Sequence, residues 1–296
     1  MKKSHSKIPI APYVFIAPAI AIFLLFIVWP ALQGFYQSLF TRGIIVRPDV
    51  AYLRPKFVGL ANFIHLFEDS RFLEALLKTL LYSVIVVPLT IGIALMLGLL
   101  LQKKFVGVGL VRSLIYWPSM ISPIIIGIAW KWIFGYDTGI ANYLFSLLGL
   151  GKIPWLISNE IAFVSVIFVS VWAQVGFYMV IFIGGLNNIP DSYYEAAQMD
   201  GANTWQRFKL ITLPLLKPTT LLVLVLSTIN AFKVYQQVTV LTAGGPGRST
   251  VFLVQNIYEE AFKKPNGVGY ASAQSFIFFL IMLLLSAMQL KLSKEE

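Results

Sequence analysis

Cysteine is missing from all 296 residues, which excludes disulfides and thiolate metal sites within them and leaves the redox compartment open. Charge is scarce: Asp, Glu, Lys and Arg make up 12% of the residues, where a soluble domain carries about 25%. There is no H-E-x-x-H and no G-x-S-x-G, and no pair of carboxylates falls inside an apolar stretch. Glu259-Glu260 reads as a solvated loop pair, and His65, alone in its neighbourhood, as a surface residue. The one candidate phosphate loop, Gly149-Leu150-Gly151-Lys152, runs into Ile153 rather than Ser or Thr. Ser146 also stands where that motif needs its first glycine. No catalytic residue, metal site or bound cofactor is therefore expected on this chain.

What is present is hydrocarbon. Hydrophobic residues are 58% of the total and the mean hydropathy is +0.78, values that belong in a bilayer. A membrane-crossing helix needs about 20 mostly apolar residues. Six stretches qualify: 12–38, 75–101, 110–134, 161–186, 218–240 and 270–290. An acid or a lysine at a helix centre costs about 2.5–3.5 kcal/mol on insertion scales, so the near-absence of both from these stretches is informative. The expected fold is all-α and integral to a membrane, with six transmembrane helices. A single domain at 12–290 lies between short tails at 1–11 and 291–296.

The net charge of +10 does not point to nucleic acid, because the basic residues sit at the ends of apolar runs, as membrane anchors do. Met1-Lys2-Lys3 and Lys7 imitate a secretory signal. The run that follows, Ile10 to Leu39, is too long for one and lacks an A-x-A end, so it reads as a retained first span. Lys2, Lys3, Lys7, Lys103, Lys104 and Arg112 favour a cytoplasmic N-terminus, against Arg42, Arg47, Arg54 and Lys56 in the first outer loop. Weighting the short connections and the first span puts both termini inside, together with the loop at 191–217.

That loop contains the longest markedly polar segment of the second half, Glu195 to Pro214. Ser192 and Glu195 have capping-box spacing, and Gly201 stands where a helix ends in a left-handed cap. A second helix restarts at Asn203 or Thr204, and Pro214 and Pro218 mark entry into the next apolar run. Glu195-Ala196-Ala197, three residues, Gly201, nine residues, then Ile211, Leu213 and Pro214 together resemble the EAA loop of bacterial ATP-binding-cassette (ABC) importer permeases. Phe57 to Phe63 (FVGLANF), Asp137-Thr138-Gly139 with Asn142, Leu241 to Gly247 (LTAGGPG), Ile257-Tyr258 with Ala261-Phe262, and Gly269 to Ala273 are similar to phrases of the sugar-permease branch.

The resemblance, to carbohydrate permeases of the maltose and glycerol-phosphate type, implies a type I importer permease fold. It implies that Glu195, Ala196, Ala197, Asp200, Gly201, Ala202, Phe208, Ile211, Leu213 and Pro214 couple the chain to an ATPase. It also implies a plasma-membrane assembly with a second, different permease and two ATPase subunits that carry the ATP and Mg. An extracytoplasmic solute-binding protein and a sugar complete it.

Polar residues inside apolar runs mark either a lumen or hydrogen bonding between helices. In the fourth stretch Ser170, Gln174 and Phe177 share a helical face, and in the fifth Ser227, Asn230 and Gln237 do so by the same spacing. The resemblance puts the sugar site on Ser170, Gln174, Phe177, Ser227 and Asn230, and Tyr235 joins this candidate set. Lys233 either snorkels outward or pairs with an acid. The alternative class is an ion-coupled secondary transporter, which needs an essential ionisable group at mid-membrane and often an inverted repeat. Lys233 is the one clear charge of that kind, and no convincing repeat is visible. A scaffold that transports nothing would leave the loop spacing an accident.

Overall fold

The structure, a computed structural model, describes residues 10–41, 56–103, 105–265 and 267–294. Lys2, Lys3, Lys7, Arg42, Arg47, Arg54 and Lys104, which carry much of the orientation argument, lie outside the described residues. Among the described residues there is no β-strand, and a lone bridge joins Phe40 to Phe57. The chain forms two compact units, Met1–Asp69 with Ile257–Leu280 and Ser70–Asn256 with Ile281–Glu296.

The first unit opens with α1 (Ile10–Phe23), a π turn (Leu24–Val28) and α2 (Trp29–Ser38), which together form an apolar helix. The short α3 (Ala61–Glu68) follows. The Phe57-to-Phe63 phrase has a structural reason here. Gly59 turns at φ +57, and Asn62 then donates from Nδ2 to the carbonyls of Ser38 (2.7 Å) and Phe40 (2.8 Å), closing the end of α2. Phe276 packs its ring against Phe35 and Phe63, at centroid distances of 4.7 and 6.0 Å.

The second unit is built on α4 (Ser70–Leu101) and, after α5 (Val108–Tyr116), α6 (Pro123–Ile133) and α7 (Ile140–Leu147), on α8 (Asn159–Asn187). In α8, 67% of the most apolar window is buried, which makes it the central helix of this unit. Hydrocarbon gives apolar side chains little reason to leave lipid, so association in a membrane rests on close packing and interhelical hydrogen bonds. Both are visible. Gly98 of α4 lets the backbone approach Phe182, and at Gly176 the end of α5 closes onto α8 around Ile115.

The loop between α7 and α8 is closed by Asn142, which is 2% exposed. Its Nδ2 donates to the carbonyls of Tyr136 and Ile153, each at 3.0 Å. Its Oδ1 accepts from the Ile153 amide (3.0 Å) and the Trp155 indole (2.9 Å). The Gly139–Asn142 phrase is thus a folding device, since a Cβ at Gly139 would collide with the Gly135 backbone. Asn142→Ala strands an indole N–H and a backbone amide, and is expected to cost about 1–3 kcal/mol, read as a lower melting temperature of the detergent-solubilised protein.

The rest of the chain comprises α9 (Asp191–Met199), α10 (Thr204–Arg207), α11 (Leu213–Leu215), α12 (Lys217–Phe232), α13 (Gln236–Leu241), α14 (Leu253–Lys263) and α15 (Val268–Lys294). Among the described residues four helices are long and apolar enough to cross a membrane, or six if each bent pair counts as one crossing.

One bent pair falls in the third expected span, and the other, Thr204–Leu215 with Lys217–Phe232, bends just before the fifth, which is itself interrupted. At 110–134, the stretches Val108–Met120 and Pro123–Ile133 meet at 101°. Pro118 sits in a 3₁₀ turn and Pro123 begins the next helix from an extended Ser122, the place where a missing N–H is harmless. At 218–240 the helix stops at Phe232, and Tyr235, at φ −155 and ψ −64, starts the separate α13. Gln237 therefore does not share a helical face with Ser227 and Asn230, because they no longer lie on one helix. Lys233 caps the C-terminal end of α12 with its side chain exposed, where a cation complements the helix dipole. Glu259 and Glu260 also fall differently from the expectation. They lie on α14, one turn before Lys263 and Lys264, and pair with them.

Candidate coupling loop and translocation face

Residues 190–216 fold as two short helices around a tight turn. The first starts where expected, by another device. Pro190 is the N-cap in extended conformation and Asp191 supplies the favourable first-turn acid. Ser192 and Glu195 are inside the helix, and no side chain caps it, so their capping-box spacing is not used. The capping box lies at the second helix instead. Asn203 Oδ1 accepts from the Gln206 amide (2.9 Å), and Gln206 Oε1 accepts from the Asn203 amide (2.8 Å).

The end of α9 is a Schellman turn. Gly201 adopts φ +78, its amide donates to Gln198 (3.1 Å), and the Ala202 amide donates to Ala197 (2.9 Å). The spacing from Ala197 to Gly201 is thus the spacing of a helix end. Beyond α10 a π turn, Phe208–Thr212, leads into α11, and the stretch Thr204–Leu215 meets α12 at 65°. Pro214 and Pro218 each occupy an early position in a helix, where proline is tolerated.

Glu195, Ala196, Asp200, Gly201, Leu213 and Pro214 are exposed, while Ala197, Ala202, Phe208 and Ile211 are half-buried. Large apolar side chains also face outward: Met199 is 84% exposed, Leu210 70% and Trp205 67%. The rings of Trp205 and Phe208 lie 5.5 Å apart. A polar-sequence loop that shows this much apolar surface has the character of a docking site.

The polar residues of the spans divide in two. Ser170 is fully buried, donates to Val166 (2.8 Å) and accepts from Gln237 Nε2 (2.8 Å), which ties α8 to α13. Ser227 is buried and donates to the Leu224 carbonyl at 3.1 Å. Both hydroxyls serve the packing of the chain. Asn230 is exposed, and its Nδ2 donates to the Tyr178 hydroxyl at 2.9 Å, bringing α12 against α8 beside the exposed Phe177. Gln174 is half-buried one turn before Tyr178, and Tyr235 is half-buried at the break after α12. Sequence reasoning missed the tie between Tyr194 and Thr212 inside the loop, whose oxygens lie 3.0 Å apart. Nothing in their spacing signals it.

A profile of the family described as "Binding-protein-dependent transport system inner membrane component" matches residues 70–295. The "sn-glycerol-3-phosphate transport system permease protein UgpA" of Agrobacterium fabrum is 34% identical over 288 residues, covering 97% of this chain and 96% of that protein. The "Trehalose/maltose transport system permease protein MalF" of Thermococcus litoralis is 32% identical over 283 residues, covering 95% and 93%. Among solved structures, a chain of a bacterial alginate ABC transporter, in complex with its alginate pentasaccharide-bound periplasmic protein, superposes with a TM-score of 0.82. The identity there is 22%, with 96% of this chain and 94% of that one covered, which is a likeness of fold.

Long apolar helices, two bent helix pairs and a capped two-helix loop are features of a membrane-spanning protein. The chain belongs to the family of binding-protein-dependent transport system inner membrane components. It is a multi-pass permease subunit of an ABC importer, and this membership sets aside the ion-coupled secondary transporter.

Proposed function

We propose that this permease forms half of the pathway for a carbohydrate, an oligosaccharide in the first instance, and couples to ATP hydrolysis through residues 191–217. The observation that supports the coupling role most directly is the loop itself, with a backbone held by a Schellman turn and a capping box while Trp205, Met199 and Leu210 face outward. The partners in this reading are a second, different permease, two ATPase subunits holding ATP and Mg, and an extracytoplasmic solute-binding protein. Both termini and the loop lie on the cytoplasmic side. Closure of the ATPase dimer pushes on the loop, the spans rock as rigid bodies, and the pathway opens outward to receive solute. The site must bind solute more tightly in one state than in the other, or the cycle does no transport work.

Carbohydrate is favoured because relatives named for sugars and glycerol phosphate match nearly the whole chain, and because Phe177, Gln174 and Asn230 offer a ring beside amides. Ser170, Ser227 and Tyr235 complete the set in this reading. Gln174→Ala and Asn230→Ala are each expected to raise the sugar concentration for half-maximal uptake about two- to tenfold, the worth of one neutral hydrogen bond. ATPase activity of the purified complex, measured with binding protein against a panel of sugars, identifies the solute. No response to any carbohydrate would overturn the substrate class.

A further inference from the structure

We propose that Tyr194 is the joint through which the coupling helix moves the span bundle, its ring seated among span ends and its hydroxyl hooked to Thr212. This rests on the coupling role of residues 191–217 and names a positioning residue outside the EAA signature. Of the nine residues of α9, seven are exposed; Tyr194 and Ala197 alone are partly covered. Alanine is short, so Tyr194 is the side chain with which α9 grips the rest of the second unit.

Its ring packs on the cluster of Leu186, Ile189 and Leu216, beside Leu95 and Leu99. Those residues lie near the end of α4, at the end of α8 and just beyond it, and at Leu216, the N-cap of α12, where the 65° bend occurs. The Tyr194 hydroxyl lies 3.0 Å from Thr212 Oγ1, and Thr212, 5% exposed, also donates weakly to the Arg207 carbonyl at 3.4 Å. Either hydroxyl can donate across the Tyr194–Thr212 pair. The covalent route from α9 to α12 is long, running through the turn at Gly201, α10, the π turn and α11. Tyr194 bypasses that route and delivers displacement directly to the π turn and the base of α12.

The experiment uses the whole complex with ATP, Mg²⁺ and vanadate as the probe, and needs no solute. Spin labels at Gln198→Cys and Lys233→Cys report the distance from α9 to the far end of α12. With the joint intact, the distance distribution stays single and narrow with and without ATP–vanadate. Tyr194→Phe and Thr212→Val should each split it under ATP–vanadate only, raising the ratio of the second population to the first about two- to tenfold. Thr212→Ser should restore the parental distribution, and the double variant should be no worse than either single, because both remove one bond. Parental distributions in both single variants overturn the joint. So does equal broadening with and without nucleotide, which marks a role in folding only. Cross-linking from Gln198→Cys separates the two ideas. Failure to capture an ATPase subunit overturns the coupling reading and the joint with it, whereas capture with parental distributions overturns the joint alone.

Discussion

Gly201→Val is expected to lower uptake about tenfold or more while the complex still assembles. Gly201 has φ +78, and a Cβ built there meets no atom within 4 Å. The penalty is therefore conformational, with no steric part. An ordinary L-residue in the left-handed region costs about 1–2 kcal/mol, and a β-branched one more, which is the tenfold scale of the prediction. The lost geometry is the pair of bonds from Gly201 to Gln198 and from Ala202 to Ala197, which set the angle between α9 and α10. Substitutions should rank by their tolerance of positive φ, with Asn mildest, then Ala, and Val worst. Gly201→Asp should also uncouple ATP hydrolysis from uptake. Uptake per assembled complex, with the ATPase subunits quantified by co-purification, checks the series. Parental uptake by both the Val and Asp variants would remove the turn from the coupling mechanism.

Gly176→Ala should be the most disruptive small substitution in α8, and Gly184→Ala on the same helix should be harmless. At Gly176 a Cβ would sit 2.7 Å from the Ile115 carbonyl carbon and closer still to its oxygen, so the backbone of α5 has to move. Overpacking of this kind, against backbone that has no rotamer to give, is expected to cost about 3 kcal/mol or more. At Gly184 a Cβ meets nothing within 4 Å, and replacing glycine inside a helix gains about 0.5–1 kcal/mol. The two alanine variants should therefore shift the melting temperature of the solubilised complex in opposite directions. Equal shifts would mean that α5 does not press on α8 at Gly176.

The loop was legible in detail because its signals are local. A proline, a first-turn acid, a glycine four residues after Ala197 and an Asn-x-x-Gln are all short-range geometry, and the two short helices fall where those residues direct. Ser192 and Glu195 misdirected the capping, since Pro190 already set the helix start two residues earlier. The substrate face was harder to read. Helical periodicity puts Ser170 and Phe177 on one side of α8, yet Ser170 is enclosed while Phe177 is exposed, because the neighbours along a membrane helix change from turn to turn.

Composition and the length of the apolar runs determined by themselves that this chain lives in a bilayer as helices, because hydrocarbon leaves the backbone no other way to satisfy its amides over such lengths. Local chemistry likewise determined the two-helix loop. Tertiary structure alone decided that the chain bends by 101° within 110–134, that the helix of 218–240 stops at Phe232, that Ser170 bonds to Gln237 across helices, and that Tyr194 reaches Thr212. Hydropathy is averaged over some twenty residues, which hides a break of two or three. A contact between residues 67 positions apart depends on how whole helices pack, which no local pattern encodes.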